Sequence, residues 1–249
     1  MGRIEQNTDM ANVADTAVVT GSSFGIGLAL SRMLVKNGYE VFGFGRNFER
    51  AEAQEFCKEQ PEKFHAVVCD ITDTQALCAH IKEIDKNYRV TVLINNAGVG
   101  YYGLHEELNP KKIQKMVRTN LEAPMILTQQ LLRTLKKNRG TVLNISSVTA
   151  AQSNPHGCAY GATKAGLSGF AKSLFDEVRK YGVRVITIQP DMAKTDLYRN
   201  ADFCEGEEEA SYLLPEEVAE AAAFALAQRE GLVVTEITVK PQFHRIRRK

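Results

Sequence analysis

The sequence predicts an α/β fold: a single doubly wound, mostly parallel sheet of about seven strands with helices on both faces. Three observations predict it. Short β-branched runs alternate with longer amphipathic runs from residue 16 to residue 239. Successive strands are separated by enough chain for crossovers, which parallel pairing requires. The first strand also runs directly into a glycine-rich turn and then a helix, the junction with which open sheets of this kind begin.

The elements follow in order. Residues 16–20, Thr-Ala-Val-Val-Thr, carry no charge and read as a strand buried on both faces. Residues 28–36 have helical spacing, 39–44 form the second strand, 48–59 a helix, and 64–69 the third strand. A helix over 74–86 leads to a fourth strand at 91–95. Residues 110–137 read as one long helix, opened by the cap-then-proline pair Asn109 and Pro110. A strand at 141–145, a helix at 160–181 and a strand at 183–188 come next. An alanine-rich helix over 215–228 and a strand over 233–239 close the series. The irregular stretch 191–214 is long for a compact domain, and loops of that length are usually functional.

No linker, low-complexity block or tandem repeat divides the chain. Residues 15–241 therefore read as one domain, preceded by a polar extension (1–14) expected to be flexible. A basic tail, 242–249, follows, and its short, aromatic-poor run of charge reads as a solvated end. With 31 Lys and Arg against 30 Asp and Glu, the net charge of +1 gives no reason to expect nucleic acid or an acidic membrane as partner. Five cysteines without a CxxC pair argue against a disulfide framework or a zinc site, so no metal is expected. The N-terminus has no apolar stretch suited to a signal peptide, and nothing approaches the length of a membrane span. The expected location is the cytoplasm.

The turn after the first strand is Thr20-Gly21-Ser22-Ser23-Phe24-Gly25-Ile26-Gly27. Glycines let backbone pass close to a pyrophosphate, and the N–H groups at a helix start favour negative charge. The spacing is GxxxGxG, and no GxxxxGK[ST] occurs, so phosphate transfer has no support. Two further motifs stand with it: Asn95-Asn96-Ala97-Gly98 after the fourth strand, and Tyr160-Gly-Ala-Thr-Lys164. Ser147 lies thirteen residues before Tyr160, and Asn120 forty before it. Each alone is commonplace; Tyr160 could be packing, Ser147 a strand-end hydrogen bond, Asn120 a cap. In this order and spacing they resemble the short-chain dehydrogenase/reductase family over residues 16–240.

Tyrosine is a weak acid, with an ordinary pKa of about 10. Lys164, four residues on, projects from the same helix face, so its charge is expected to lower the Tyr160 pKa. The resemblance implies a Rossmann-type fold, NAD(P)-dependent hydride transfer to or from a small carbonyl or alcohol, and Tyr160 as acid and base. It implies that Lys164 also holds the nicotinamide ribose, that Ser147 positions the substrate oxygen, and that Asn120 supports a water in the proton relay. Gly21, Ser23, Phe24, Gly25, Ile26 and Gly27 match the cofactor turn. Asp70 and Ile71 match the pair flanking the adenine, Asn96 and Gly98 the adenosine side, and Ala193 and Thr195 the carboxamide end.

Cofactor choice turns on Gly45 and Arg46 at the end of the second strand. An acid there would bind both ribose hydroxyls and repel a 2′-phosphate. A guanidinium suits a phosphate, so NADP(H) is the expected cofactor and NAD(H) the alternative. Phe24 stands where some NADP-dependent relatives place a second base. Asp191 follows Pro190 where the family commonly has glycine, which puts the backbone path there in question. The ending Thr238-Val-Lys-Pro241-Gln242 is similar to reductases of hydroxy acids and small carbonyl compounds. Tyr101, Tyr102, His156, Tyr198 and Phe203 are candidate pocket walls. Met125, Leu127, Leu131, Leu167, Phe170 and Leu174 suggest apolar material for the homodimer or homotetramer that the resemblance implies. The rival reading is a catalytically silent dinucleotide-binding regulator on the same fold, whose usual mark, a broken catalytic set, is missing here.

Overall fold

A computed structural model describes residues 14–249. The polar extension read from the sequence, apart from Ala14, lies outside the described residues. Seven parallel strands form the main sheet in the order β3-β2-β1-β4-β5-β6-β8. They are β1 (Thr16–Thr20), β2 (Glu40–Gly45), β3 (Phe64–Val68), β4 (Val90–Asn95), β5 (Thr141–Ile145), β6 (Arg184–Pro190) and β8 (Glu236–Val239). The order reverses between β1 and β4, so the crevice for a ligand opens at the carboxyl ends of those strands.

Helices cover both faces, as the pattern predicts. On one side α1 (Gly25–Lys36) and α7 (Pro215–Leu226) pack Leu28, Leu30, Leu34, Val218 and Ala222 against Val19, Ile94 and Ile188. On the other, α3 (Thr74–Asn87), α5 (Ala123–Asn138) and α6 (Cys158–Val178) bury Leu77, Ile81, Leu127, Leu131 and Leu174 against Val18, Leu93 and Val142. The short α2 (Ala51–Glu59) adds Phe56, whose ring lies 4.6 Å from that of Phe64. Strand β1 is buried at all five positions. No helix of the described residues is long and apolar enough to cross a membrane, and none of their His, Cys, Asp and Glu side chains cluster as metal ligands would.

Three sequence expectations change. The long helix over 110–137 is broken into α4 (Pro110–Val117), a wide π turn (Arg118–Glu122) and α5. The start at Asn109 is as expected, with its side chain accepting from the Lys111 N–H at 2.8 Å. The break has a cause in Pro124, which has no N–H to give the carbonyl of Asn120 four residues back. π turns of this kind recur at functional sites, and Asn120 sits inside it, fully buried.

The basic tail is exposed as expected, but its backbone is not free. Strand β9 (Ile246–Arg248) pairs antiparallel with β7 (Phe203–Glu205), inside the long loop. Most of the apolar side chains expected at an assembly interface are buried within the chain. Leu127, Leu131, Leu167 and Leu174 belong to the core, leaving Met125 exposed and Phe170 partly so. A helical apolar period cannot distinguish core from interface.

Candidate active site

The site comes together at the carboxyl edge of the sheet. A single cleft is lined by the glycine turn, the ends of β2, β4 and β5, the start of α6, and the loop after β6.

The glycine turn is held from behind. Thr20 Oγ1 accepts from the N–H groups of Asn96 and Ala97, both at 3.0 Å, and Asn96 Nδ2 donates to the Thr20 carbonyl at 2.8 Å. Gly21 and Gly25 have φ of +71° and +56°, a region that side chains disfavour. A Cβ on Gly27 would lie 2.0 Å from the Gly21 carbonyl oxygen, so only glycine fits. Helix α1 starts with no side-chain cap and no acid in its first turn. Its N–H groups and dipole therefore face the cleft uncompensated, an arrangement suited to a pyrophosphate.

At the other end stand Ser147, Tyr160 and Lys164. Ser147 follows β5, and its hydroxyl accepts from Thr149 N–H at 3.2 Å. Tyr160 is 4% exposed in the first turn of α6. Burial raises its pKa above the ordinary value, and a hydrogen bond with Ser147 works the other way. Lys164 is 3% exposed, and burial alone pushes its pKa down to about 8. Its Nζ donates to the Ile145 carbonyl at 2.8 Å and lies 5.8 Å from the Tyr160 ring centroid. The lowering of the Tyr160 pKa expected from Lys164 is not found: the shift is upward, because burial outweighs the hydrogen bond with Ser147. Burial thus keeps the Tyr160 hydroxyl protonated.

Asn120 reaches this corner from the π turn. Its Nδ2 donates to the Val99 carbonyl at 2.9 Å and to Thr163 Oγ1 at 3.1 Å, while its Oδ1 accepts from Val99 N–H at 2.9 Å. The side chain is fully engaged in tying the segment after β4 to α6. A Cβ on Gly98 would lie 3.6 Å from Lys164 Nζ and 3.8 Å from Asn120 Oδ1, so these groups converge on one spot.

Arg46, Asp70 and Ile71 line the far end, with Lys115 from α4 among them. Burial of the Asp70 carboxyl works to raise its pKa. Hydrogen bonds from Thr72 and the charges of Arg46 and Lys115 outweigh this and hold it below the ordinary value. Lys115 escaped sequence reading because on α4 it is one of several solvent-facing lysines. Phe24 carries no charge, yet the Arg50 guanidinium stacks over its ring at 4.3 Å and pairs with Asp196. That pair joins the start of α2 to the long loop.

In this loop Ala193 and Thr195 line the cleft. Asp191, where glycine is common in the family, accepts at its Oδ1 from the next N–H, of Met192, at 2.9 Å. Of the predicted walls, Tyr102, Tyr198 and Phe203 gather beside Tyr160, Tyr102 lying 5.7 Å from it between ring centroids. Burial raises the pKa of both Tyr102 and Tyr198. Tyr101 faces Lys112 instead, and His156 contributes its backbone carbonyl to Gly103 N–H.

The sequence profile described as short chain dehydrogenase matches residues 15–203. Serine 3-dehydrogenase of Agrobacterium fabrum is 37% identical over 186 residues, covering 74% of both chains. The 3-oxoacyl-(acyl-carrier-protein) reductase of Rickettsia conorii is 33% identical over 233 residues, covering 90% of this chain and 93% of its own. Among solved structures, an alcohol dehydrogenase from the archaeon Thermococcus sibiricus, complexed with 5-hydroxy-NADP, superposes with a TM-score of 0.84 at 27% identity. That match covers 93% of this chain and 98% of the other. A 3-ketoacyl-(acyl-carrier-protein) reductase from Brucella melitensis, complexed with NADH, gives 0.81 at 25% identity, covering 91% and 97%.

Proposed function

The chain belongs to the short-chain dehydrogenase family of oxidoreductases, and on that premise we propose that it reduces a small carbonyl compound with NADPH, Tyr160 donating the proton. One observation carries the reading: Ser147, Tyr160 and Lys164 stand at one end of a single cleft whose other end is the glycine turn and Arg46. A nicotinamide cofactor bound there supplies the hydride. Ser147 and Tyr160 hold the substrate oxygen, and the Tyr160 hydroxyl gives it a proton. Lys164 takes part in replacing that proton, and Asn120 fixes the backbone beside it. The catalytically silent regulator gains no support from a site this complete. Serine 3-dehydrogenase and the oxoacyl reductases are named for hydroxy and oxo compounds, which places β-oxo and β-hydroxy acids or esters first among substrates to try.

The reading is tested by screening such compounds, ethyl acetoacetate among them, with each cofactor while following nicotinamide absorbance. Its cofactor assignment rests on Arg46 and Lys115 with no acid at position 45. Replacing Arg46 with alanine should weaken NADPH by roughly ten- to hundredfold, about 1.5–3 kcal/mol, and spare NADH. Equal loss with both would make Arg46 structural. The reverse design, an acid at Gly45, is poor, because a Cβ there already lies 3.0 Å from the Phe48 ring.

The pH profile follows from Lys164, whose pKa burial lowers to about 8. Reduction needs the proton relay loaded, so its kcat/KM should be flat below that value and fall about tenfold per unit above it. Alcohol oxidation needs the relay unloaded and should rise with pH to the same point. Initial rates in both directions check the opposite slopes; parallel slopes would remove Lys164 from the relay.

Assembly into a two-fold homodimer or homotetramer is part of the proposal, and Val117 and Met125 remain exposed on α4 and α5 for it. Light scattering at micromolar concentration should give at least twice the chain mass.

A further inference from the structure

Resting on the reductase reading above, we infer that residues 243–249 position the aromatic wall of the substrate pocket, with Arg245 and Arg247 as positioning residues. Among the described residues β7 has one strand neighbour, β9, in register Phe203 to Arg248, Cys204 to Arg247 and Glu205 to Ile246. A three-residue strand does not persist without a partner. The segment holds the loop at further points. Gly206 N–H donates to the Arg245 carbonyl at 3.1 Å, Lys249 N–H to Asp202 at 2.8 Å, and Lys249 Nζ to the Tyr198 carbonyl at 2.7 Å. Arg247 pairs with Glu207 at 3.0 Å, and Arg245 with Glu208.

What this strand holds is the aromatic cluster beside Tyr160, of which Tyr198 lines the cleft and Tyr102 and Phe203 pack behind it. Phe203, in β7, lies 5.2 Å from Tyr102 and 5.4 Å from Tyr198 between ring centroids, and Tyr102 packs on Tyr160. The run Glu207-Glu208-Glu209 and the basic segment, separately unremarkable in sequence, are complementary once side by side. His244 Nδ1 also lies 3.9 Å from the carboxylate of Asp191, which lines the cleft. None of the bonds made by residues 243–249 reaches the glycine turn, Ser147, Tyr160 or Lys164, and Arg245 and Arg247 do not touch Asp191. Loosening the segment should therefore change substrate capture and leave cofactor binding alone.

Each ion pair is exposed and weak by itself, but reversing two charges turns two attractions into two repulsions. In the full chain Arg245→Glu with Arg247→Glu should speed amide hydrogen exchange across residues 198–206 by about tenfold. It should raise the KM for ethyl acetoacetate severalfold, with kcat changed less and the NADPH dissociation constant unchanged. Adding Glu207→Arg and Glu208→Arg restores the charge complementarity and should restore both exchange and KM. Unchanged exchange in the double variant, or failure of the fourfold variant to restore it, would overturn the inference. If the reductase reading itself is wrong, turnover is absent in every form while the exchange measurement still decides.

Discussion

Replacing Tyr160 with phenylalanine should lower turnover by about 10²–10⁴-fold while leaving NADPH affinity unchanged, since only the proton donor is lost. The ring would stay where it is. It is 4% exposed and packs with Val99, Met116 and Ala159, contacts that phenylalanine keeps. What disappears is the hydroxyl bonded with Ser147, kept protonated by burial. Fluorescence titration of NADPH and steady-state rates on the same preparation separate the two quantities. Rates within a factor of a few of wild type would remove Tyr160 from the chemistry, whatever the rest of the site resembles.

The second large effect belongs to the other end of the cleft. Gly27→Ala should weaken NADPH by roughly hundredfold or more, about 2.7 kcal/mol in binding. The added carbon would sit 2.0 Å from the Gly21 oxygen and 2.6 Å from its carbonyl carbon, both backbone atoms. Neither can swing aside. The turn would have to open, carrying the start of α1 away from the position its N–H groups now occupy, and the melting temperature should fall with it. Titration and thermal melting check both; retained affinity would mean that the turn does not carry the pyrophosphate.

These two variants probe the parts most legible in the sequence. The succession of strands and helices, the glycine turn and the Ser147, Tyr160 and Lys164 constellation depend on local spacing and on buried β-branched runs, which one chain displays directly. The break in the helix after Val117 was written there too, in Pro124. Its use was not legible, because the partner of Asn120 is the backbone of Val99, twenty-one residues away in sequence. Lys115 and Arg50 look like ordinary surface charges until packing sets one beside Asp70 and the other over Phe24. The sign of the Tyr160 shift also required burial, which spacing alone does not supply. Least legible was β9, whose sequence Ile-Arg-Arg has little strand character and pairs because β7 and its acidic neighbours lie alongside.

The central claim is hydride transfer from NADPH to a carbonyl carbon in this cleft. It is tested most directly by offering the protein NADPH deuterated at the transferable position, together with ethyl acetoacetate and its β-oxo and β-hydroxy relatives, and weighing the alcohol formed. The alcohol should be one mass unit heavier, with the label on the carbinol carbon, and should form faster from NADPH than from NADH. Tight NADPH binding with no alcohol from any of these compounds, or an alcohol without the label, would contradict it.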